Sequence, residues 1–540
     1  MTLRINRDIT SFDPYLGETV TSLETGWLEG LFIPDWTLDP SVQPYQLSFL
    51  PNDQEKGGLA GSWEFTDSST LVIHVRQGIH WQNIPPANGR ELIANDIVFH
   101  FDRMIGLGDG FTQPAPYWNT VSWTKSVTSV TAVDKYTVVM KWNTPNPEFI
   151  MENLEAPSVS TVIENPEAVQ QWGNLNDWHH ALGTGPFILT DYVSGSSSSM
   201  VKNPNYWGHD ERYPQNSLPY VDKITYLVIP DNSTALAAMR TGKIDILDGL
   251  STVQDAKSMQ KTNPEIKQIL TPSSNGLTLD PRNDKAPFND IRVREALQMA
   301  IDLPTITSTY YSGTCSPDPL SLTSDYLKGW GYPYTQWPQD LKDQYAYNPT
   351  AAKQLLANAG FPNGFKTDLV VDSVVDTNLV QIVKSYFTQI NVDMDIRPMD
   401  TASFTALINS HKNDALLMRT AGSLGVSYYP LRQFTKFQTG ASANYPVVSD
   451  PAFDAYYTKS LTATTTDEVK SLLMDCNEYV VKQHYVISLI QPMAFNLCQP
   501  WLNGFNAQYG SMTGVVQPQL VFFYEARFWI DQNQKNNLKH

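Results

Sequence analysis

Apolar residues recur in this chain with two different periods, and that constrains its fold more than any other feature. Residues 70–75 alternate, with Leu71, Ile73 and Val75 on one face, until Gly78 breaks the pattern. Asn95-Asp96 then precede Ile97, Val98, Phe101, Met104 and Ile105, a single helical stripe that these polar residues can cap. Residues 127–133, Asp134-Lys135 and residues 136–142 predict a hairpin. Further on, residues 220–229 predict a strand, residues 234–239 a helix stopped at Gly242, and residues 244–246 a short strand. Val293, Leu297, Ala300 and Ile301 form another stripe. Asn348, Pro349 and Gly360 stand where an N-cap, a first-turn proline and a C-cap belong. Strand and helix alternate again through residues 369–371 and 380–390. The run from Ser194 to Ser199, between two apolar segments, predicts a flexible hairpin tip. The class that fits is α/β with mixed sheets and several lobes.

Charge and motif searches exclude more than they include. The chain carries 37 Lys and Arg against 55 Asp and Glu, a net charge of −18, and no basic run. That argues against nucleic acid or an anionic membrane as partner. No apolar run approaches the ~18 residues of a membrane helix. Three cysteines, Cys315, Cys476 and Cys498, form no CxxC pair. Gly422-Ser423-Leu424-Gly425 lacks the spacing of a nucleophile elbow. His179-His180 are adjacent and would point apart on a helix, so they suit no metal. Thr241-Gly242-Lys243 lacks the rest of a phosphate loop. Gly106–Gly110 follows a helix rather than a strand, which excludes the dinucleotide reading. No catalytic residue, metal ligand or cofactor is expected. A glycosidase, whose two carboxylates leave no sequence spacing to find, stays open as an alternative. The 14 tryptophans serve packing or, in part, a ligand-lining wall.

Five segments together resemble the family 5 solute-binding proteins of ABC importers, the class that includes oligopeptide-, dipeptide-, nickel- and cello-oligosaccharide-binding proteins. They are Arg76-Gln-Gly-Ile-His-Trp81 with Ala94-Asn-Asp-Ile-Val-Phe99; Gly183-Thr-Gly-Pro-Phe187; Asn203-Pro-Asn-Tyr-Trp-Gly208 with Tyr220–Ile224 and Ala237–Ile246; Pro287–Leu297 through Ala300-Ile-Asp302; and Tyr347–Leu356 with Ala359–Phe365. The resemblance implies a bilobal periplasmic-binding-protein fold. Residues 1–39, 178–269 and 490–540 would form a discontinuous first lobe, residues 40–177 a small inserted lobe, and residues 270–489 a second large lobe. Ligand would be held between the large lobes, with hinges near 270–275 and 489–491. The resemblance further implies a monomer outside the cytoplasmic membrane, periplasmic or extracellular and membrane-anchored. Membrane permease subunits would be its partners, and Met1 would stand in place of a removed signal.

The same resemblance points to ligand-contacting residues: Glu18, Thr19, Val20, Trp36, Trp118, Asn275, Gly422, Ser423, Tyr428 and Tyr429. In peptide-binding relatives an acid anchors the peptide's amino terminus. The matching stretch here, Arg419 to Pro430, contains none. A ligand ammonium there would lack a charge-assisted hydrogen bond of ~1.5–3 kcal/mol. Two ligand classes therefore stay open, an oligosaccharide or sugar-like solute and a short peptide. The missing acid tilts the expectation toward the neutral one.

Overall fold

The alternating segment becomes the strand Thr70–Val75, and its register explains why. In the computed structural model of the chain it lies inside an antiparallel sheet ordered Ala60–Asp67, Thr70–Val75, Thr137–Trp142, Val127–Asp134. Leu71 faces Met140 and Ile73 faces Val138, and all four side chains are fully buried. The structure describes residues 1–540 except 10, 16–25, 48, 116–124, 156–161, 251, 415, 427–429, 509–517 and 539–540. Against this sheet packs the helix Ala94–Ile105. It starts earlier than the sequence suggests. Asn95 and Asp96 lie in its first turn, and the Asp96 carboxylate reaches back to accept from the Ile93 amide at 3.0 Å. The same carboxylate takes two N–H bonds from Arg90 at 2.8 and 2.7 Å.

The chain divides into two compact units. The first comprises Met1–Thr271 and Ala494–His540, the second Pro272–Met493. In the first unit, Thr2–Ile5 runs parallel to Lys223–Val228, followed by Ser197–Lys202 and Phe187–Val193. The Ser-rich run is not all hairpin tip. Ser197, Ser198 and Ser199 belong to a strand, and only residues 194–196 turn. A second sheet orders Ile246–Leu250, Met493–Cys498 and Lys267–Pro272. Its first strand begins at Ile246, two residues beyond where the sequence pattern begins, because Ile244 and Asp245 close onto Gln499 and Thr2 instead. A single hydrophobic cluster runs through this unit from Leu3 and Trp27 to Met140 and Phe522, so residues 40–177 share their core with the rest of it.

The second unit is built on a parallel sheet ordered Val392–Met399, Phe365–Asp372, Leu416–Met418. Thr377–Gln389 and Thr401–Asn409 are the crossover helices. Each starts on an aspartate: Asp376 accepts from Asn378 and Leu379, and Asp400 from Ser403. Asn348 caps Pro349–Asn358 as the sequence predicts, accepting from the Ala351 amide at 3.0 Å. Among the described residues no helix is long and apolar enough to cross a membrane, and Cys315, Cys476 and Cys498 are unpaired and buried.

The longest helix, Thr466–Gln483, ends on His484 in the left-handed region (φ 44°). Arg294 caps it, donating from Nε to His484 O at 2.7 Å and from Nη2 to Gln483 O at 2.9 Å. The His484 ring stacks on Tyr345, and its Nε2 lies 3.1 Å from Gln344 Oε1, which makes Nε2–H the tautomer. Burial, and then the Arg294 charge, push this imidazole down to about 3. The unfolded ring titrates near 6.5, so the neutral ring's contribution is complete above that pH and is lost as pH falls toward 3. We expect the urea midpoint of the wild-type protein to fall more steeply than that of His484→Asn between those limits, asparagine being tolerated at positive φ. Parallel pH profiles would show that the neutral His484 ring contributes no such stability.

Candidate functional site

The turn that leaves the strand Leu416–Met418 is where sequence-distant polar residues converge. It starts with Arg419 at the carboxyl ends of parallel strands, the position where open α/β sheets place ligands. Beside it, Asp280 pairs with Leu417 through both backbone bonds, at 2.8 and 3.0 Å. Thr278 and Asp280 alternate with Leu277 and Leu279 and therefore share a face of the extended chain. Thr278 Oγ1 donates to Asp280 Oδ1 at 2.6 Å, and Ser423 Oγ donates to Asp280 Oδ2 at 2.9 Å. Ser423 in turn accepts from Arg419 Nη2 at 3.3 Å, while Arg419 and Asp280 stand 3.8 Å apart. Tyr445 presents its ring to the guanidinium at 4.1 Å.

Backbone bonds hold this turn against two other segments. Gly422 N–H donates to Gly276 O, Gly276 N–H to Leu424 O, Gly425 N–H to Ser321 O, and Ser324 N–H to Val426 O. Asn275 Nδ2 donates to Gly422 O at 3.2 Å. The approach is so close that a Cβ on Gly422 would lie 2.4 Å from Gly276 O and 2.8 Å from Thr278 Oγ1. Gly425 adopts φ +65°, open to glycine without strain. Behind Ser321 lies a cavity of about 140 Å³, lined also by Tyr332, Trp337, Leu341, Asn477 and Val481.

Of the residues singled out from the sequence, the structure brings Asn275, Gly422 and Ser423 together. Trp36 is elsewhere, in the first unit, and nearly buried. Its ring meets Tyr45, Phe523 and Tyr524, and the Arg212 guanidinium lies 4.1 Å from its centre. These contacts are those of a core side chain and leave no open aromatic wall, a correction to the sequence expectation. Glu18, Thr19, Val20, Trp118, Tyr428 and Tyr429 lie outside the described residues. Thr278, Asp280 and Tyr445 were not picked out from the sequence. The alternation of residues 277–280 was a legible signal, but its partner lies some 140 residues away. Among the described residues, no group of three or more His, Cys, Asp or Glu could hold a metal ion.

Among the perturbed carboxyl groups of the first unit, Glu29 lies beside a hollow. Glu29 accepts from Tyr206 Oη and Trp207 Nε1, both at 2.8 Å, and burial raises its pKa to about 7. A small hollow beside it is lined by Ile33, Gly58, His209 and Phe523.

Comparison with known proteins decides the family. Residues 54–442 match the model for bacterial extracellular solute-binding proteins, family 5 middle. The chain belongs to this family. Heme-binding protein A of Haemophilus influenzae is 24% identical over 463 residues, covering 83% of this chain and 81% of that protein. Glutathione-binding protein GsiB of Shigella flexneri is 24% identical over 407 residues, 74% of this chain and 70% of that one. The periplasmic binding protein DppA of Helicobacter pylori, solved with the peptide STSA, superposes with a TM-score of 0.70 at 20% identity over 98% of both chains. That last likeness concerns the fold, which is the mixed α/β fold of periplasmic binding proteins. As a family 5 protein the chain is a solute-binding component of an ABC importer, in a family of binding and transport proteins.

Gly422→Ala should lower both stability and ligand affinity, each by about 1–3 kcal/mol, since the new methyl must displace backbone. Ala421→Ser, at an exposed neighbour, is the control and should leave both unchanged. Equal behaviour of the two variants in urea denaturation and ligand titration would contradict the close packing described.

Proposed function

We propose that the protein captures a short peptide or peptide-derived solute outside the cytoplasmic membrane, as a monomer, and hands it unaltered to the permease subunits of an ABC importer. The observation carrying this reading is the set of relatives. One is named for glutathione, itself a tripeptide, and one was solved around a tetrapeptide. The sequence-based lean toward an oligosaccharide finds no support among these relatives and is set aside. The turn at residues 419–426 supports a polar ligand, because it concentrates charge and hydrogen-bonding groups at the carboxyl end of a parallel sheet.

Native mass spectrometry of the protein as purified tests the reading. Retained ligand should fragment into amino-acid residues and stay intact on prolonged incubation. A ladder of hexose losses would restore the sugar reading, and steady release of cleaved product would indicate an enzyme. Because one relative is named for heme, a hemin titration is the natural counter-test. No saturable change in the hemin absorption spectrum is expected, and a stoichiometric one would overturn the peptide assignment.

A further inference from the structure

We infer that the cavity behind Ser321 is a second binding site, one that takes a small, largely apolar molecule with a single aromatic ring. The inference goes beyond the proposed function and does not rest on it. The cavity takes no wall from residues 419–426 and meets that turn at Ser321, whose carbonyl accepts from Gly425 N–H.

The sequence around Trp337 holds the space open. Pro333 and Pro338 flank the short 3-10 turn Tyr334–Gln336 and Trp337, and they keep the chain extended on either side. Trp337 Nε1 donates to Tyr332 O at 3.0 Å, and the indole meets Tyr334 and Tyr345 edge to face at 5.2 and 5.3 Å. Tyr345 is itself tied down. Its hydroxyl donates to Val481 O at 2.7 Å, and its ring stacks on His484. The indole and the helix Thr466–Gln483 are thus fixed by bonds that a ring rotating into the space would have to break.

The chemistry of the lining decides what fits. Ser321 and Asn477 are buried, and their polar groups are already engaged. Asn477 accepts from Thr323 N–H at 2.7 Å and donates to Leu473 O at 2.8 Å and to Thr323 Oγ1, while Ser321 Oγ donates to Thr323 O at 2.6 Å. Trp337, Leu341 and Val481 complete the inner wall, and all three are nearly inaccessible. A buried water requires about two to four polar partners, so this wall suits water poorly. A volume of about 140 Å³ comes close to that of an apolar cavity of ~150 Å³ that stays dry and accepts benzene. Trp337 and Tyr332 in the lining favour a flat ring. The solvent side carries Tyr332, Gln336 and Glu478, the last bonded to Lys482 at 2.5 Å, so one hydroxyl on the ring finds a partner there. Phenol has that composition.

Phenol is therefore the probe, measured by equilibrium dialysis and by soaking crystals of the wild-type protein. Saturable uptake is expected, with density for the ring in contact with Trp337, Leu341 and Val481. Val481→Phe and Leu341→Phe each place a ring of their own in the space and should weaken phenol binding at least about tenfold. Cyclohexanol, of similar size but not flat, should bind more weakly than phenol. Absence of saturable uptake in solution overturns the inference, whatever the soaked crystals show. Density confined to other places overturns it too, as does undiminished uptake by folded variants. Equal affinity for cyclohexanol overturns the aromatic assignment. Should neither variant fold, the wild-type dialysis and density decide the matter by themselves.

Discussion

A carboxylate that is 2% exposed has to be balanced where it stands, and Asp280 sets the arrangement of the second unit's turn accordingly. An unpaired buried carboxylate costs several kcal/mol even after relaxation. Asp280 avoids this through two hydroxyls and a guanidinium drawn from both sides of the chain, Thr278 two residues before it and Ser423 and Arg419 some 140 residues after. Those contacts require the turn to lie flat on the segment 275–280. That in turn requires glycine at 422, where the two backbones meet. Asn275, the Gly422 N–H bond to Gly276 O and the Gly276 N–H bond to Leu424 O then fasten the turn's other edge.

The web continues into the segments where the chain enters and leaves the second unit. Ser273 N–H donates to Pro492 O, and Gln491 Nε2 donates to Ser273 O while its Oε1 accepts from Ser324 Oγ. Ser324 is bound by its own amide to Val426, at the end of the turn. Within the second unit, Ser273, Gln491, Pro492 and the turn are therefore joined by hydrogen bonds. A change at any of them is felt by the others through buried polar bonds, which are costly to leave half made.

Much of this fold could be read directly from local chemistry. Asn348 and Pro349 mark a helix start because capping is a contact within three residues. Leu71, Ile73 and Val75 mark a strand because burial of one face is all that alternation needs. Readings failed where a partner distant in sequence decided the outcome. Ser197–Ser199 look like a loop by composition, yet pairing with Lys223–Val228 makes them strand. Trp36 looks like a ligand wall by position, yet Phe523 and Tyr524, almost 490 residues on, enclose it. The resemblance pointed to Asn275, Gly422 and Ser423, which lie together in the candidate turn. It did not lead to Asp280, because a single aspartate between Leu279 and Pro281 carries no mark of the arginine that faces it. The absence of an acid within Arg419–Pro430 was legible, but the acid supplied from outside that stretch was not.

The proposed function is tested most directly at the turn of residues 419–426. A crystal structure of the protein with its co-purified ligand, or with a bound peptide, tests it most directly. The account predicts a peptide with atoms against this turn, and Asp280 still bonded to Thr278 and Ser423. A ligand seated with no atom near this turn, or one whose ammonium group displaces Ser423 from Asp280, would contradict it.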